Sequence, residues 1–453
     1  MVINSHPLYQ LSYQGIWVSR GRVFRGRMAL LSTTSEASVA RLQGVAWAPL
    51  ADLTADVIPA LTQVLGGQPA DSVIDRLLRA HRAWSAAQRT AAVEAVFGVG
   101  LWRRRLAWHA GVDDPGEAPA STLLACLLRD LAGMAAVHAS ELAGLLPGTL
   151  PPVRGPPETL ADRYSVPDWL AAVFEQELGG QTAPFLDALN RPGPITLRTN
   201  LCRITRDALL AVLKSEGVCA TPAAYSPLAL HLDHRPNIFG LACHRQGLFD
   251  VQDEGSQLLG LLVGAKAGDS VLDLCAGAGG KTLLLASAVG KEGTVWAYDS
   301  DFARLERLRH RAKRAGASNV RILWTVPESL RADRVLVDAP CSSLGALRRG
   351  PDLRFRIDPA SLPGFPPLQR CLLEHAQSNL KPGGVLVYGT CTLRREENED
   401  VVASFLGDHP EFYRVTPTAP WLASTFLHQG NFRCLPHLHG TDGFFGAILK
   451  KAC

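Results

Sequence analysis

The sequence predicts an α/β protein: a doubly wound, mostly parallel sheet in the second half of the chain, with a small α/β module and an all-helical region before it. Three observations predict it. The first is VLDLCAGAGGKT at 271–282, an apolar run ending in a turn with Gly277, Gly279 and Gly280 and passing into a second apolar segment. A strand, a tight glycine turn and a helix start form the ligand-binding corner of an open α/β sheet. The second is alternation. Strand-like runs at 271–274, 294–298, 320–323, 334–337 and 385–388 are separated for the most part by helix-like runs at 282–289, 302–315 and 368–380. That order implies parallel crossovers with ligands at the carboxyl ends of the strands. The third is a break at 146–157, where Pro147, Pro151, Pro152, Pro156 and Pro157 mark a linker or domain boundary.

Before that break, 35–150 reads as all-helical. Leu61, Val64 and Leu65, then Ile74, Leu77 and Leu78, recur at helical spacing. Ser85-Ala86-Ala87-Gln88 is a capping box, followed by an apolar stripe of Val93, Val96, Phe97 and Leu101. Arg103, Arg104 and Arg105 are expected to close this helix, where positive charge suits a C-terminal end, or to meet phosphates. The first 35 residues hold Arg20, Arg22, Arg25 and Arg27 and no acid. They resemble a transit peptide, but read better as a disordered basic arm or as an extended start ahead of Met28.

Beyond the break, Pro167 opens a helix carrying Trp169, Leu170, Val173 and Phe174. A strand-like alternation at 195–200, an amphipathic helix at 206–216 and further strands to about Phe249 complete the small module. Gly316 is a helix stop, and Lys381-Pro382-Gly383-Gly384 reads as a turn before a buried strand.

A chain of 453 residues, 47% hydrophobic, has room for two or three cores. Its net charge of +4 permits a nucleic-acid partner without arguing for one. The ten cysteines form no C-x-x-C pair, so neither a zinc site nor a disulfide framework is suggested, and reduced thiols of a cytoplasmic protein fit better. The closest approach to a membrane span, 258–265, is stopped by Lys266. Expected partners therefore include no metal and no membrane, and the chain is expected to be a monomer.

The glycine corner admits three readings. A P-loop needs G-x-x-x-x-G-K-[ST]; Gly280-Lys281-Thr282 fits, but Cys275 stands at the first glycine. A dinucleotide fingerprint needs G-x-G-x-x-G, and its third glycine falls on Thr282. The remaining reading is an S-adenosylmethionine site. Asp273 and the turn then cradle the amino-acid part, and Asp299, at the end of the next strand, holds the ribose.

Two cysteines follow strand ends, Cys341 after Asp338-Ala339-Pro340 and Cys391 between Thr390 and Thr392. In a doubly wound sheet both face the cleft of the glycine turn. A thiolate there has a chemical purpose. Carbon 5 of cytosine is a poor nucleophile, but thiolate attack at carbon 6 makes carbon 5 an enamine carbon able to accept a methyl group. Asp338 is placed to hydrogen-bond the base.

These pieces resemble the RsmB/NOP2/Sun family of RNA cytosine-5 methyltransferases, and its bacterial RsmB branch. The resemblance runs from about Ser35 to Lys451. It rests on VFGVGLWRRRL (96–106), YSVPDWL (164–170), LRTN (197–200), VQDEGSQLL (251–259), DLCAGAGGKT (273–282), VLVDAPCSSLGALRRGPDLRFR (335–356), YGTCTLRREENE (388–399) and LPHLHGTDGFFGAIL (435–449). It implies a Rossmann-like class I methyltransferase domain at 251–453, a small RNA-recognition-like subdomain at 164–250, a Pro-rich linker at 151–163, an RNA-binding NusB-like domain at 35–150 and the basic arm at 1–34. It implies Cys391 as the nucleophile on carbon 6, Cys341 as the thiol assisting release, and Asp338 as a contact to base and cofactor. Cys275, Ala276, Gly277, Ala278, Gly279, Gly280 and Lys281 would hold the methionine part of S-adenosylmethionine, and Asp299 the ribose. The RNA would be ribosomal, of the small subunit.

Three departures from the family pattern stand out. Its usual Gly-Asp pair after the third strand is missing from 323–329, leaving Glu328 or backbone atoms to meet the adenine. Its usual Gly after Pro-Cys-Ser is Ser343, and its Thr-Cys-Ser ends in Thr392. RNA contact is expected on the loop after Cys341, where Arg348, Arg349, Arg354 and Arg356 surround Phe355. The rival readings are a P-loop nucleotidase and a catalytically weak RNA-binding or ribosome-assembly factor of the same fold.

Overall fold

The structure, a computed structural model, describes residues 37–453 other than Pro147 and Arg235. The basic arm, with its alternative start at Met28, lies outside the described residues. Two compact units are present. One comprises Gly193–Ala346 and Ala360–Cys453; the other runs to Pro192 and also takes in Leu347–Pro359.

The helical unit is organised around the helix Ala86–Ala110. It starts at the expected capping box, with Gln88 N donating to Ser85 Oγ at 3.2 Å and Ser85 N donating to Gln88 Oε1 at 2.9 Å. Leu61, Val96, Trp102, Leu124 and Leu127 belong to one fully buried cluster. Gly98 permits close helix contact, since a Cβ there would lie 2.8 Å from Leu127 Cδ2. The three arginines do not close this helix; it continues to Ala110 and stops at left-handed Gly111. Arg104 instead pairs with Asp162 and Asp168 at 2.5 and 2.6 Å, and Arg105 donates to the Arg163 carbonyl at 3.0 Å.

The Pro-rich stretch is likewise bound to this unit. Arg129 Nη1 donates to the Pro151 carbonyl at 2.5 Å, and Trp108 Nε1 donates to the Gly155 carbonyl at 3.0 Å. The division between the two compact units falls at Pro192, after the helices Leu160–Tyr164, Asp168–Leu178 and Thr182–Leu189.

The second unit carries two sheets. Strands β1 (Thr196–Thr199), β2 (Ala220–Pro222), β3 (Ala229–Leu232) and β4 (Phe249–Val251) form an antiparallel sheet of order β2-β3-β1-β4. The larger sheet contains β5 (Ser270–Asp273), β6 (Thr294–Tyr298), β7 (Val320–Leu323), β8 (Ala332–Asp338) and β9 (Leu380–Thr390). These five are parallel, in the order β9-β8-β5-β6-β7. The chain starts in the middle and turns back, so the switch point lies between β5 and β8. Strands β10 (Phe412–Val415), β11 (Leu427–His428), β12 (Asn431–Cys434) and β13 (Phe444–Lys451) extend the sheet antiparallel beyond β9.

The alternation of the sequence becomes this sheet because buried apolar residues of the strands meet helices on both faces. Leu272, Val335 and Leu386 share one fully buried cluster, and Val271, Leu336 and Val387 another. Lys381-Pro382-Gly383-Gly384 lies inside β9 and not ahead of it. The register with β8 jumps from Ala332↔Leu380 to Arg334↔Val385, so these residues form a bulge with Gly383 at φ +72°.

Candidate active site

The carboxyl ends of β5, β6, β8 and β9 converge on the expected residues. At the end of β5, Asp273 is buried and its Oδ2 accepts from Thr282 Oγ1 at 2.7 Å, while Oδ1 is buried without a hydrogen-bond partner. Burial raises its carboxyl to about 7, opposed by the Thr282 bond and reinforced by nearby Asp338. The turn that follows carries Gly277 at φ +53° and Gly279 at φ +89°. A Cβ on Gly279 would lie 2.1 Å from Leu308 Cδ1, so both backbone angle and space demand glycine. A Cβ on Gly277 would meet nothing within 4 Å, which leaves that side of the turn open.

Asp299, after β6, accepts from Gly277 N at 2.8 Å through one oxygen and from Asp301 N at 2.8 Å through the other. Lys281 Nζ binds Asp338 Oδ2 at 2.6 Å and lies 5.4 Å from the Phe444 ring centroid. Arg311 Nη1 donates to the Ala278 carbonyl at 2.6 Å. Burial raises the Cys275 thiol well above its ordinary range, and Ala276 is buried beside it. These groups fit S-adenosylmethionine. The unpartnered Asp273 oxygen can accept from an ammonium group, and the open turn offers backbone where a carboxylate would bind.

The two cysteines meet. Cys341 Sγ lies 3.5 Å from Cys391 Sγ, and Cys391 N donates to Cys341 Sγ at 3.4 Å. Ser343 Oγ lies 3.3 Å from Cys391 Sγ and 3.9 Å from Cys341 Sγ. The hydrogen bond with Cys391, followed by burial, pushes the Cys341 thiol well above its ordinary range.

Several residues that build this site are given no role by the sequence alone. Glu397, fully buried, joins the loops of both thiols: it accepts from Ser342 N at 2.9 Å, Ser342 Oγ at 2.5 Å, Gln369 Nε2 at 3.1 Å and Arg394 Nη1 at 3.1 Å. Ser342 Oγ in turn bonds Thr392 Oγ1 at 2.7 Å. Gly443 N donates to the Gly345 carbonyl at 2.9 Å, and a Cβ on Gly345 would lie 2.4 Å from the Gly443 oxygen. Arg198 of LRTN binds Gln252 and the Gly280 carbonyl, tying the small sheet to the glycine turn. Where the Gly-Asp pair is missing, half-exposed Trp324 and Phe302 meet edge to face at 5.2 Å. Glu397 and Gly443 fall within the stretches 388–399 and 435–449, but only the fold pairs them with Ser342 and Gly345.

The basic segment after Cys341 departs from expectation. Arg354 is fully buried and donates from Nη1 to Asn190 Oδ1 at 2.6 Å. Arg103 covers the Phe355 ring at 4.0 Å, and Arg356 Nε binds Asp352 Oδ2 at 3.0 Å. Arg348 is buried and Arg349 half-buried. Arg354 and Phe355 are therefore corrected from RNA contacts to packed residues of the helical unit. Leu347 and Leu353, both buried, draw the segment inward with them.

Comparison with known proteins agrees with this architecture. A model of the 16S rRNA methyltransferase RsmB/F matches residues 261–450, and a ferredoxin-like domain model of RsmF/B-like methyltransferases matches 166–238. A probable ribosomal RNA small subunit methyltransferase B of Synechocystis sp. is 36% identical over 307 residues, 65% of this chain and 68% of the relative. The ribosomal RNA small subunit methyltransferase B of Sodalis glossinidius is 32% identical over 340 residues, 72% of this chain and 77% of the relative. The crystal structure of PH0851 superposes with a TM-score of 0.73 at 26% identity, covering 89% of this chain and 99% of that one. NSun6 from Pyrococcus horikoshii, solved with SFG, shares the fold, with a TM-score of 0.57 at 22% identity over 63% of this chain and 98% of that one. With its parallel sheet, glycine turn and flanking acids, the chain belongs to the RsmB/F family of 16S rRNA methyltransferases, enzymes dependent on S-adenosylmethionine.

Proposed function

We propose that this enzyme methylates carbon 5 of a cytosine in small-subunit ribosomal RNA through a covalent bond to Cys391. The observation that carries the reading is the pair of thiols 3.5 Å apart at the ends of β8 and β9, next to the Lys281–Asp338 ion pair. Asp273, the turn from Cys275 to Lys281, and Asp299 hold the cofactor in this reading. S-adenosylmethionine supplies an electrophilic methyl group there.

The Cys391 thiolate adds to carbon 6, and the electrons of the 5,6 double bond move to carbon 5, which takes up the methyl group. Loss of the carbon 5 proton to solvent then re-forms the double bond and expels the sulfur as a thiolate. Asp338 holds the edge of the base. Cys341, kept protonated, stands beside Cys391 to assist the expulsion. The cytosine must leave any stack to reach a thiol this buried. On the RNA side, Arg348, Arg349 and Arg356 remain candidates, together with the helical region.

A denaturing gel of protein with target RNA and cofactor tests the assignment. Cys341→Ser should trap methylated RNA on the protein as a shifted band, and Cys391→Ser should give none, since a hydroxyl is a far weaker nucleophile than a thiolate. The reverse pattern would make Cys341 the nucleophile. Wild-type activity in both variants without a band would remove covalent catalysis.

A further inference from the structure

Ser343 occupies a backbone position that favours glycine. Its φ is +59°, one of three non-glycine residues with positive φ among those described. A glycine would make this turn with less strain, and what serine adds is a hydroxyl beside two sulfurs. The side chain is 5% exposed, its Oγ lies 3.3 Å from Cys391 Sγ, and it donates to the Cys341 carbonyl at 3.3 Å.

We infer that Ser343 is a positioning residue for Cys391: its hydroxyl turns from the Cys341 carbonyl to donate a hydrogen bond to the Cys391 thiolate. The inference rests on Cys391 being the nucleophile. In the resting site the Cys391 thiol donates to Ser343 Oγ. Once Cys391 has lost its proton to solvent, the hydroxyl reverses, contributing a hydrogen bond while keeping its own proton. A buried thiolate otherwise has to form against the cost of desolvation, and a short donor contact offsets that cost. The same bond fixes the direction of the sulfur.

The neighbouring titratable groups do not replace this oxygen donor. Cys341, on the loop after β8, is a neutral thiol 3.5 Å away that adds only a weak S–H donor to the same sulfur, and Tyr388 on β9, raised well above its ordinary range by burial, already donates to the Glu397 carbonyl at 2.5 Å. Cys434 on β12 shares the apolar cluster of Cys391 and is likewise raised by burial, beyond the ordinary thiol range. Glu397 is an acceptor already engaged by Ser342, Gln369 and Arg394.

The test is the pH dependence of Cys391 alkylation by iodoacetamide in the full chain, followed by mass spectrometry of the Cys391 peptide. It needs neither RNA nor cofactor. In Ser343→Gly and Ser343→Ala the pH of half-maximal rate should rise by about one unit, the effect of one lost hydrogen bond to a charged group. Thermal stability should hold or rise in Ser343→Gly, which relieves the backbone and so decides the matter even if Ser343→Ala folds poorly. An unmoved midpoint in a folded Ser343→Gly protein would overturn the inference. An RNA adduct that survives Cys391→Ser would instead sink the nucleophile assignment, so the two failures are separable.

Discussion

The glycine turn at 277–281 and the basic segment at 348–356 are both irregular, and they are held by opposite means. The turn is specified by near neighbours. Asp299 is 22 residues from Gly277, Asp273 is 9 from Thr282, and φ values of +53° and +89° require glycine wherever the turn is used. The basic segment is specified from far along the chain. Arg354 meets Asn190 across 164 residues, and Asp352 Oδ2 accepts from Ala70 N across 282 at 3.3 Å. One region carries its geometry in its own letters; the other acquires it only after the helical unit has formed.

The largest expected effect tests the second half of that contrast. Arg354→Ala should destabilise the protein by about 2–4 kcal/mol through the cavity it opens. Arg354→Met, which keeps most of the volume and removes guanidinium nitrogens buried without partners, should stay within about 1 kcal/mol of the parent. Denaturant titration measures both. If the segment is an RNA-binding loop instead, both variants keep parental stability and show a shallower salt dependence of rRNA binding.

Gly279→Ala tests the first half. Strain at φ +89° and the overlap with Leu308 should cost about 2 kcal/mol and weaken S-adenosylmethionine binding by at least about tenfold. Calorimetry showing parental affinity would mean that the turn does not depend on its own backbone.

The smallest effect concerns charge buried with the basic segment. Burial, followed by the Asp352 charge, raises the Asp71 carboxyl from 3.8 to about 6. The folded state then binds this proton more tightly than the unfolded chain. Stability should therefore fall as pH rises from about 4 to about 6 and carry the full penalty above that. Asp71→Asn should flatten this window and gain about 1–2 kcal/mol at pH 7. A stability profile unchanged between pH 4 and 7 would remove Asp71 from the buried set.

The same contrast explains what could be read in advance. Strands 294–298 and 320–323 keep their expected bounds, because apolar runs between helices of period 3.6 leave little choice. The positions of Cys341, Cys391, Asp338 and Asp299 were legible because each stands at or just past a strand end in a topology that gathers strand ends. Arg103 and Arg354 were not. An arginine beside an aromatic reads as a solvated basic loop, and only Asn190 and the facing Phe355 ring show otherwise. Glu397 was invisible for the same reason: its role depends on Ser342 and Gln369 arriving from other elements.

The route of the chain through Leu347–Pro359 bears on how the protein is made. The helical unit emerges first during synthesis, yet one of its packed segments is translated only after β8, more than a hundred residues past Pro192. At ordinary elongation rates this leaves roughly ten seconds or more in which the N-terminal helices must wait for Leu353 and Arg354. Until then, surface meant for these side chains stays open to chaperones or to neighbouring nascent chains. The helical unit is finished only once the Cys341 loop has been made, so completion of the two units is coupled in time by connectivity alone.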